Sequence, residues 1–296
     1  MTVEIPASYL AMPRWWHGGR DWLAALPVTI DEALDCWRLI LDGDPMHGSN
    51  ALVLPVLRRD DPSRTPLVLR LTPPDDDIAA EIRALGFWNG RGVVRLLDSD
   101  QDHGFTLLER LHGEDTLATR PLAEALPIVA HLTVRMAVPA PPDVRSTGDL
   151  ARERLDSLVS DWNRLGHPFP RSILDRAVAD GRSLTDPDSL LAVNGDLHCA
   201  QILRADREPW LVVDPVLLRG DLAYDFARVL WTRLDEMPDD AAIREWQEVL
   251  IAGADLEPER ARAWVRFRTV VYWLWGLAHG LTEDPVRCER LLPAIG

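Results

Sequence analysis

Asp196, His198 and Gln201 fall within one short segment, Asn194-Gly195-Asp196-Leu197-His198-Cys199-Ala200-Gln201, and a further carboxylate, Asp214, ends the apolar run Leu211-Val212-Val213. A carboxylate in a glycine-containing turn, followed by a second at the end of an apolar strand, suits phosphoryl transfer from a nucleotide. One can orient a substrate hydroxyl, while the side-chain oxygens of Gln201 and Asp214 can hold magnesium against the phosphates. Asp196 follows the apolar segment Leu190-Leu191-Ala192-Val193 and stands between Gly195 and Leu197, so the backbone turns sharply and the carboxylate can project into a cleft. An Asp in such a turn is by itself more often a turn former than a catalyst. The company of Gln201 and Asp214 is what favours chemistry.

The elements around these residues change character along the chain. Ala51–Leu57 and Pro66–Leu71 read as antiparallel strands, with a turn containing Gly48 before the first. Asp75–Leu85 places Ile78, Ile82 and Leu85 on one helical face behind an Asp-rich start, and Val93–Leu97 and Phe105–Glu109 complete a sheet. After Leu111-His112-Gly113 the pattern becomes helical: Leu122–Met136, Leu150–Leu165, Arg171–Asp180, Asp221–Leu234, Asp240–Ala252 and Glu257–Gly280. The reading is an α+β chain with a small β-rich lobe at residues 1–111 and a larger helical lobe at 112–296.

Composition narrows the alternatives. With 296 residues, 47% of them hydrophobic, the chain can bury a core large enough for two lobes. The apolar run Val270–Ala278 is far short of the roughly 20 residues that span a bilayer. Met1–Pro6 lacks the basic start and apolar centre of a signal peptide, so a soluble, cytoplasmic protein away from membranes is expected. Cys36, Cys199 and Cys288 are too few and too widely spaced for a disulfide framework or zinc cluster. A net charge of −15 opposes contact with nucleic acid. It would attract a small cationic substrate, although an acidic surface is also an ordinary solubility device. His17-Gly18-Gly19-Arg20 and Asn89-Gly90-Arg91-Gly92 lack the Lys-Ser or Lys-Thr of a phosphate-binding P-loop, and no Gly-x-Ser-x-Gly elbow is present, which removes hydrolase readings.

Three motifs taken together, Asn194–Gln201, Val213-Asp214-Pro215 and Gly220-Asp221-Leu222-Ala223-Tyr224-Asp225, resemble the aminoglycoside phosphotransferase family. The resemblance is closer to its streptomycin 6-kinase and hydroxyurea phosphotransferase branch. It implies a bilobal protein-kinase-like fold and an ATP-dependent transfer of the γ-phosphate to a hydroxyl of an aminoglycoside, sugar or similar small metabolite. Carried across residue by residue, it makes Asp196 the catalytic base, with His198 beside it on the catalytic loop, and Gln201 and Asp214 the magnesium ligands. Arg70 falls where such kinases place a phosphate-pairing Lys, and Glu81 where they place the helix Glu that holds it. Glu109, Arg110 and Leu111 would form the hinge that offers backbone groups to adenine, and Gly48-Ser49 the turn over the phosphates.

The chain departs from the family pattern at three of these positions. Arg70 stands for Lys, Gln201 for Asn and Asn194 for His. These departures support an alternative reading, a catalytically weak pseudokinase or nucleotide-dependent binding protein. His198 reads as a buttress of the loop rather than a proton carrier, and Asp221 and Asp225 as loop anchors one helical turn apart. Trp264, Trp273 and Trp275 with Tyr272 are dense enough to be core, their alternative being an aromatic wall for a sugar-like or cationic substrate.

Overall fold

The computed structural model of the chain describes residues 3–12, 15, 19–48, 51–73 and 78–295, which fall into two compact units, Met1–His112 and Gly113–Gly296. Helices α1 (Ala7–Leu10) and α2 (Arg20–Cys36) open the first unit. Strands β1 (Leu39–Leu41), β2 (Met46–His47), β3 (Leu52–Arg58) and β4 (Leu67–Leu71) follow, then helix α3 (Ile78–Trp88) and strands β5 (Leu96–Asp100) and β6 (Phe105–Glu109). The strands form an antiparallel sheet in the order β1-β3-β4-β6-β5, with β2 paired to β3.

Alternation along β4 decides what each face of this sheet does. Leu67, Leu69 and Leu71 point into a core shared with Leu26 and Ile30 of α2. Arg70 points to the opposite face, where α3 brings Glu81 to it. Helix α2 is hidden in the sequence because Pro27, which removes a backbone donor, sits inside it; the buried stripe of Leu26, Ile30, Ala33 and Leu34 holds it in place. The strand expected at Val93–Leu97 is displaced to Leu96–Asp100. Val93 and Val94 are buried, and the register against β6 shifts between Leu96 and Asp98.

Strand β7 (His112–Thr116) is followed by helices α4 (Leu122–Met136), α5 (Thr147–Arg164) and α6 (Arg171–Ser183). Four short strands come next: β8 (Ala192–Asn194), β9 (Ile202–Arg204), β10 (Trp210–Val212) and β11 (Leu217–Arg219). Helices α7 (Phe226–Thr232), α8 (Asp240–Gly253), α9 (Pro258–Ala278) and α10 (Glu283–Leu291) complete the chain. The helical lobe expected from the sequence therefore also contains strands, three residues long and too short to show a period of two. Helix α9 is its centre, burying Trp264, Phe267, Val270, Trp273 and Leu274. Among the described residues no helix is long and apolar enough to cross a membrane.

The single helix expected over Asp221–Leu234 is broken into a 3-10 turn at Leu222–Asp225, helix α7, and a second 3-10 turn at Leu234–Glu236. Long-range polar contacts account for the break. The buried Asp221 carboxylate accepts from the backbone N–H of Asp188 at 3.0 Å, the indole N–H of Trp264 at 2.8 Å and the guanidinium of Arg260 at 2.8 Å. Asp225 meets Arg268 at 3.1 Å. At the other end, Arg233 donates to the carbonyls of Leu117 and Arg120.

Asp221 thus ties the segment after β11 to α9. Asp221→Ala should lower the unfolding free energy by about 3 kcal/mol, since it strips a buried carboxylate from Arg260 and Trp264. Asp221→Asn, which keeps an acceptor, should lose about half as much. Urea denaturation followed by tryptophan fluorescence measures both, and an Ala variant as stable as the wild type would remove Asp221 from the anchoring role.

Candidate active site

Two nested strand pairs position the polar residues of the second unit. Strand β8 pairs antiparallel with β11, and β9 with β10. The chain leaves β8 through residues 195–201 to reach β9, and leaves β10 through 213–216 to reach β11, so these connections run side by side. Backbone bonds fasten them: Gly195 N–H to Val216 O and Val213 N–H to Gln201 O, both 2.8 Å. The approach is close enough that a Cβ on Gly195 would meet Leu218 Cδ1 at 2.6 Å. Asp196 stands on the first connection and Asp214 on the second. Asp214 has φ of 51°, in the left-handed region that Asp tolerates better than most residues.

Asn194 registers the two connections. Its buried side-chain oxygen accepts from the backbone N–H of Asp196 at 3.2 Å and that of Val216 at 3.0 Å. An amide oxygen has two lone pairs for this task, whereas a neutral imidazole offers a single acceptor nitrogen. The departure at position 194 therefore carries a structural function of its own.

The Asp196 carboxylate has two side-chain partners. Gln201 Nε2 donates to Oδ2 at 3.1 Å, and Arg228 of α7 forms a short ion pair with Oδ1. With its nitrogen turned to Asp196, Gln201 leaves Oε1 buried and without a hydrogen-bond partner in the structure. An orphaned amide oxygen beside the Asp214 connection fits a hard divalent cation. Among the described residues no group of three or more His, Cys, Asp or Glu could hold a metal. Magnesium needs no such group, since it is bound through one or two protein oxygens with the rest of its shell from phosphates and water. Burial, reinforced by the Arg228 cation, pushes His198 down to about 4 against the opposing pull of Asp196 and Asp214. This favours the neutral imidazole at His198, whose one N–H can donate a hydrogen bond but is far too weakly acidic to act as a proton donor.

Arg228 was not found from the sequence. It lies 32 residues beyond Asp196, and its one local signal is a place three residues after Asp225 of the Gly-Asp-x-x-x-Asp motif. Beneath it, burial raises the Asp225 carboxyl to about 7 despite the Arg268 guanidinium.

In the first unit, Arg70 is buried and its NH1 donates to both Glu81 oxygens, at 2.7 and 2.6 Å. Gly48 bonds through its N–H to Ala51 O at 3.0 Å, has open space around it, and follows β2; its neighbour Ser49 lies outside the described residues. The Glu109 carboxylate accepts from Arg95 N–H at 2.8 Å. The side chain of Arg110 is spent on structure, donating to Leu67 O, Val56 O and the Asp42 carboxylate. The main-chain N–H groups of Glu109 and Arg110 are engaged as well, with Arg95 O at 3.1 Å and Pro66 O at 3.4 Å.

A cleft of ≈ 260 Å³ opens in the second unit at Arg228, with Arg154, Tyr224, Arg268, Tyr272 and Trp275 in its lining. Trp273 is core, packed on Phe169, and Trp264 is fully buried with its N–H on Asp221. Trp275 is 41% exposed, and with Tyr272 it is the one place where the aromatic residues singled out in the sequence reach the cleft wall with accessible surface.

Residues 36–280 match the family described as aminoglycoside/hydroxyurea antibiotic resistance kinase. The chain is 37% identical to the streptomycin 6-kinase of Streptomyces glaucescens over 94% of its length and 92% of that protein. It is also 37% identical to the hydroxyurea phosphotransferase of Kitasatospora aureofaciens, over 97% of this chain and 84% of the other. Choline kinase LicA from Streptococcus pneumoniae superposes with a TM-score of 0.62 at 10% identity, covering 91% of this chain and 98% of that one, which shows the shared protein-kinase-like fold. A family match over most of the chain and relatives of this identity and coverage mean that the chain belongs to the aminoglycoside/hydroxyurea antibiotic resistance kinases and is an ATP-dependent small-molecule phosphotransferase.

Proposed function

We propose that Asp196 receives the hydroxyl of a small acceptor while Gln201 and Asp214 hold magnesium and Arg70 meets the nucleotide phosphates. The observation that carries this reading is the pairing of the Asp196 and Asp214 connections, with the Gln201 amide turned so that nitrogen serves Asp196 and oxygen is left over. Phosphoryl transfer passes through a loose transition state that asks little covalent chemistry of the protein, so positioning carries most of the effect. Gln201 and Arg228 fix the Asp196 carboxylate from two sides, and the acceptor hydroxyl donates to it as its oxygen approaches the phosphorus. Magnesium, when bound, neutralises charge on the phosphate oxygens. His198, neutral and half-buried beside both carboxylates, buttresses the loop rather than passing protons.

The first unit's share of the proposal is the nucleotide. Glu81 orients the Arg70 guanidinium, whose fork suits phosphate, and the main chain of Glu109, Arg110 and Leu111 serves the adenine edge. Gly48 and Ser49 provide a turn that the phosphates can approach. The relatives named for streptomycin and hydroxyurea support a small hydroxylated acceptor, which we take this chain to meet, with ATP, in the cytoplasm.

Arg70→Ala should weaken ATP by on the order of tenfold or more and leave adenosine nearly unchanged, because only ATP carries the charges a guanidinium pairs with. Arg70→Lys should retain most ATP affinity. Calorimetry with both ligands gives the answer; an unchanged ratio of ATP to adenosine affinity would take Arg70 out of the phosphate site.

Asp214→Ala should abolish the magnesium dependence of ATP binding and with it phosphorylated product, whereas Gln201→Ala should weaken both less, since an amide carries no charge. Titrations with and without magnesium, with product read by mass spectrometry, compare them. Equal, small effects from both variants would contradict the metal assignment.

A further inference from the structure

Resting on the proposed role of Asp196 toward the acceptor, we infer that the cleft at Arg228, the ion-pair partner of Asp196, is built for a hydroxylated acceptor bearing an anionic group, with Arg154 as the residue that selects it. Two separate observations lead there. The first is charge. Arg154, Arg228 and Arg268 line the cleft, and no carboxylate lines it among the described residues. Arg228 is engaged by Asp196, and Arg268 by Asp225 and the Tyr224 carbonyl. Arg154 is exposed on α5 and has no side-chain partner among the described residues, so its charge faces the cleft uncompensated. A second hollow shares Arg154 and Trp275 with the first; its one carboxylate, Asp161, is paired with Arg164 at 2.8 Å. A polycation entering here would meet guanidinium groups, and the nearest carboxylates, Asp196 and Asp225, are already paired with Arg228 and Arg268.

The second observation is the disposition of the rings. A cation is held by an open aromatic face. Here the faces are used internally. Arg268 lies 3.8 Å from the Tyr224 ring centre, Tyr272 stacks on Trp231 at 4.4 Å and on Trp275 at 5.4 Å, and Trp275 stacks on His279 at 4.3 Å. Such a stack turns ring edges outward, and the edges of aromatic rings carry partial positive charge. Edges and guanidinium alike favour oxygen-rich, negatively charged ligands. Of the alternative reading, an aromatic wall for a sugar-like or cationic substrate, this packing disfavours the cationic half.

The test compares acceptors that differ only in charge: hydroxymethylbenzoate, hydroxymethylbenzamide and hydroxymethylbenzylamine, with streptomycin as the polycation. Binding is read by quenching of tryptophan fluorescence and turnover by phosphorylated product from ATP. The benzoate should bind on the order of tenfold more tightly than the benzylamine, the range of a charge-assisted hydrogen bond. Arg154→Glu should invert that order, Arg154→Gln should level it, and Arg154→Lys should largely restore it. Tighter binding of streptomycin or the benzylamine by the wild type, an order indifferent to Arg154→Glu, or no binding of any of the four overturns the inference. If the benzoate binds best and Arg154-dependently but no acceptor is phosphorylated, the specificity of the cleft stands and the placing of the acceptor hydroxyl at Asp196 falls. Phosphorylation of streptomycin with tighter binding than the benzoate does the reverse.

Discussion

One shared acceptor holds the chemistry of the second unit together. The side-chain oxygen of Asn194 takes the N–H groups of Asp196 and Val216 at once, so the connection after β8 and the connection after β10 cannot slide past one another without leaving a buried donor unpaired. The two backbone bonds at Gly195 and Val213 extend the same registration along both segments. Everything proposed for Asp196, Gln201 and Asp214 depends on it, because a magnesium ligand on one strip of chain and a hydroxyl-orienting carboxylate on another are useful only at fixed separation. Strands of three residues contribute few ladder bonds, which makes these loop-to-loop bonds the more important.

How legible this was in the sequence differs residue by residue. Asp196, Gln201 and Asp214 could be singled out because their types and order in the chain are chemically suggestive before any fold is known, whereas the Arg70–Glu81 pair followed only from the family resemblance. Helices with strong apolar periodicity, such as Leu122–Met136, also stood out with their bounds intact. Arg228 and Arg154 did not stand out, since each sits on a helix whose sequence gives no hint of which distant segment it faces. Helix α2 was masked by Pro27, and the break in Asp221–Leu234 by carboxylates whose partners, Arg260 and Arg268, lie on α9. Tertiary partners, not local propensity, decided all of these.

Net charge gave the least reliable guide to the site. The chain carries −15, yet the cleft at Arg228 is lined by three arginines, Arg154, Arg228 and Arg268. Global charge governs solubility and long-range encounter, while selection inside a cleft is set by the few groups within hydrogen-bond reach. The same distinction applies to the aromatic residues. Their density on α9 suggested core rather than a recognition surface, and most of it is spent on the core and on ring stacking.

The central claim is that Asp196 handles the acceptor hydroxyl and does not hold the nucleotide. Single-turnover phosphoryl transfer from γ-labelled ATP, measured by rapid quench for wild type and Asp196→Asn alongside equilibrium ATP affinity, tests it directly. The account predicts nearly unchanged ATP affinity with transfer slowed by about two to four powers of ten, the range of a lost general base. Transfer at close to the wild-type rate, or a loss explained wholly by weakened ATP, would contradict it.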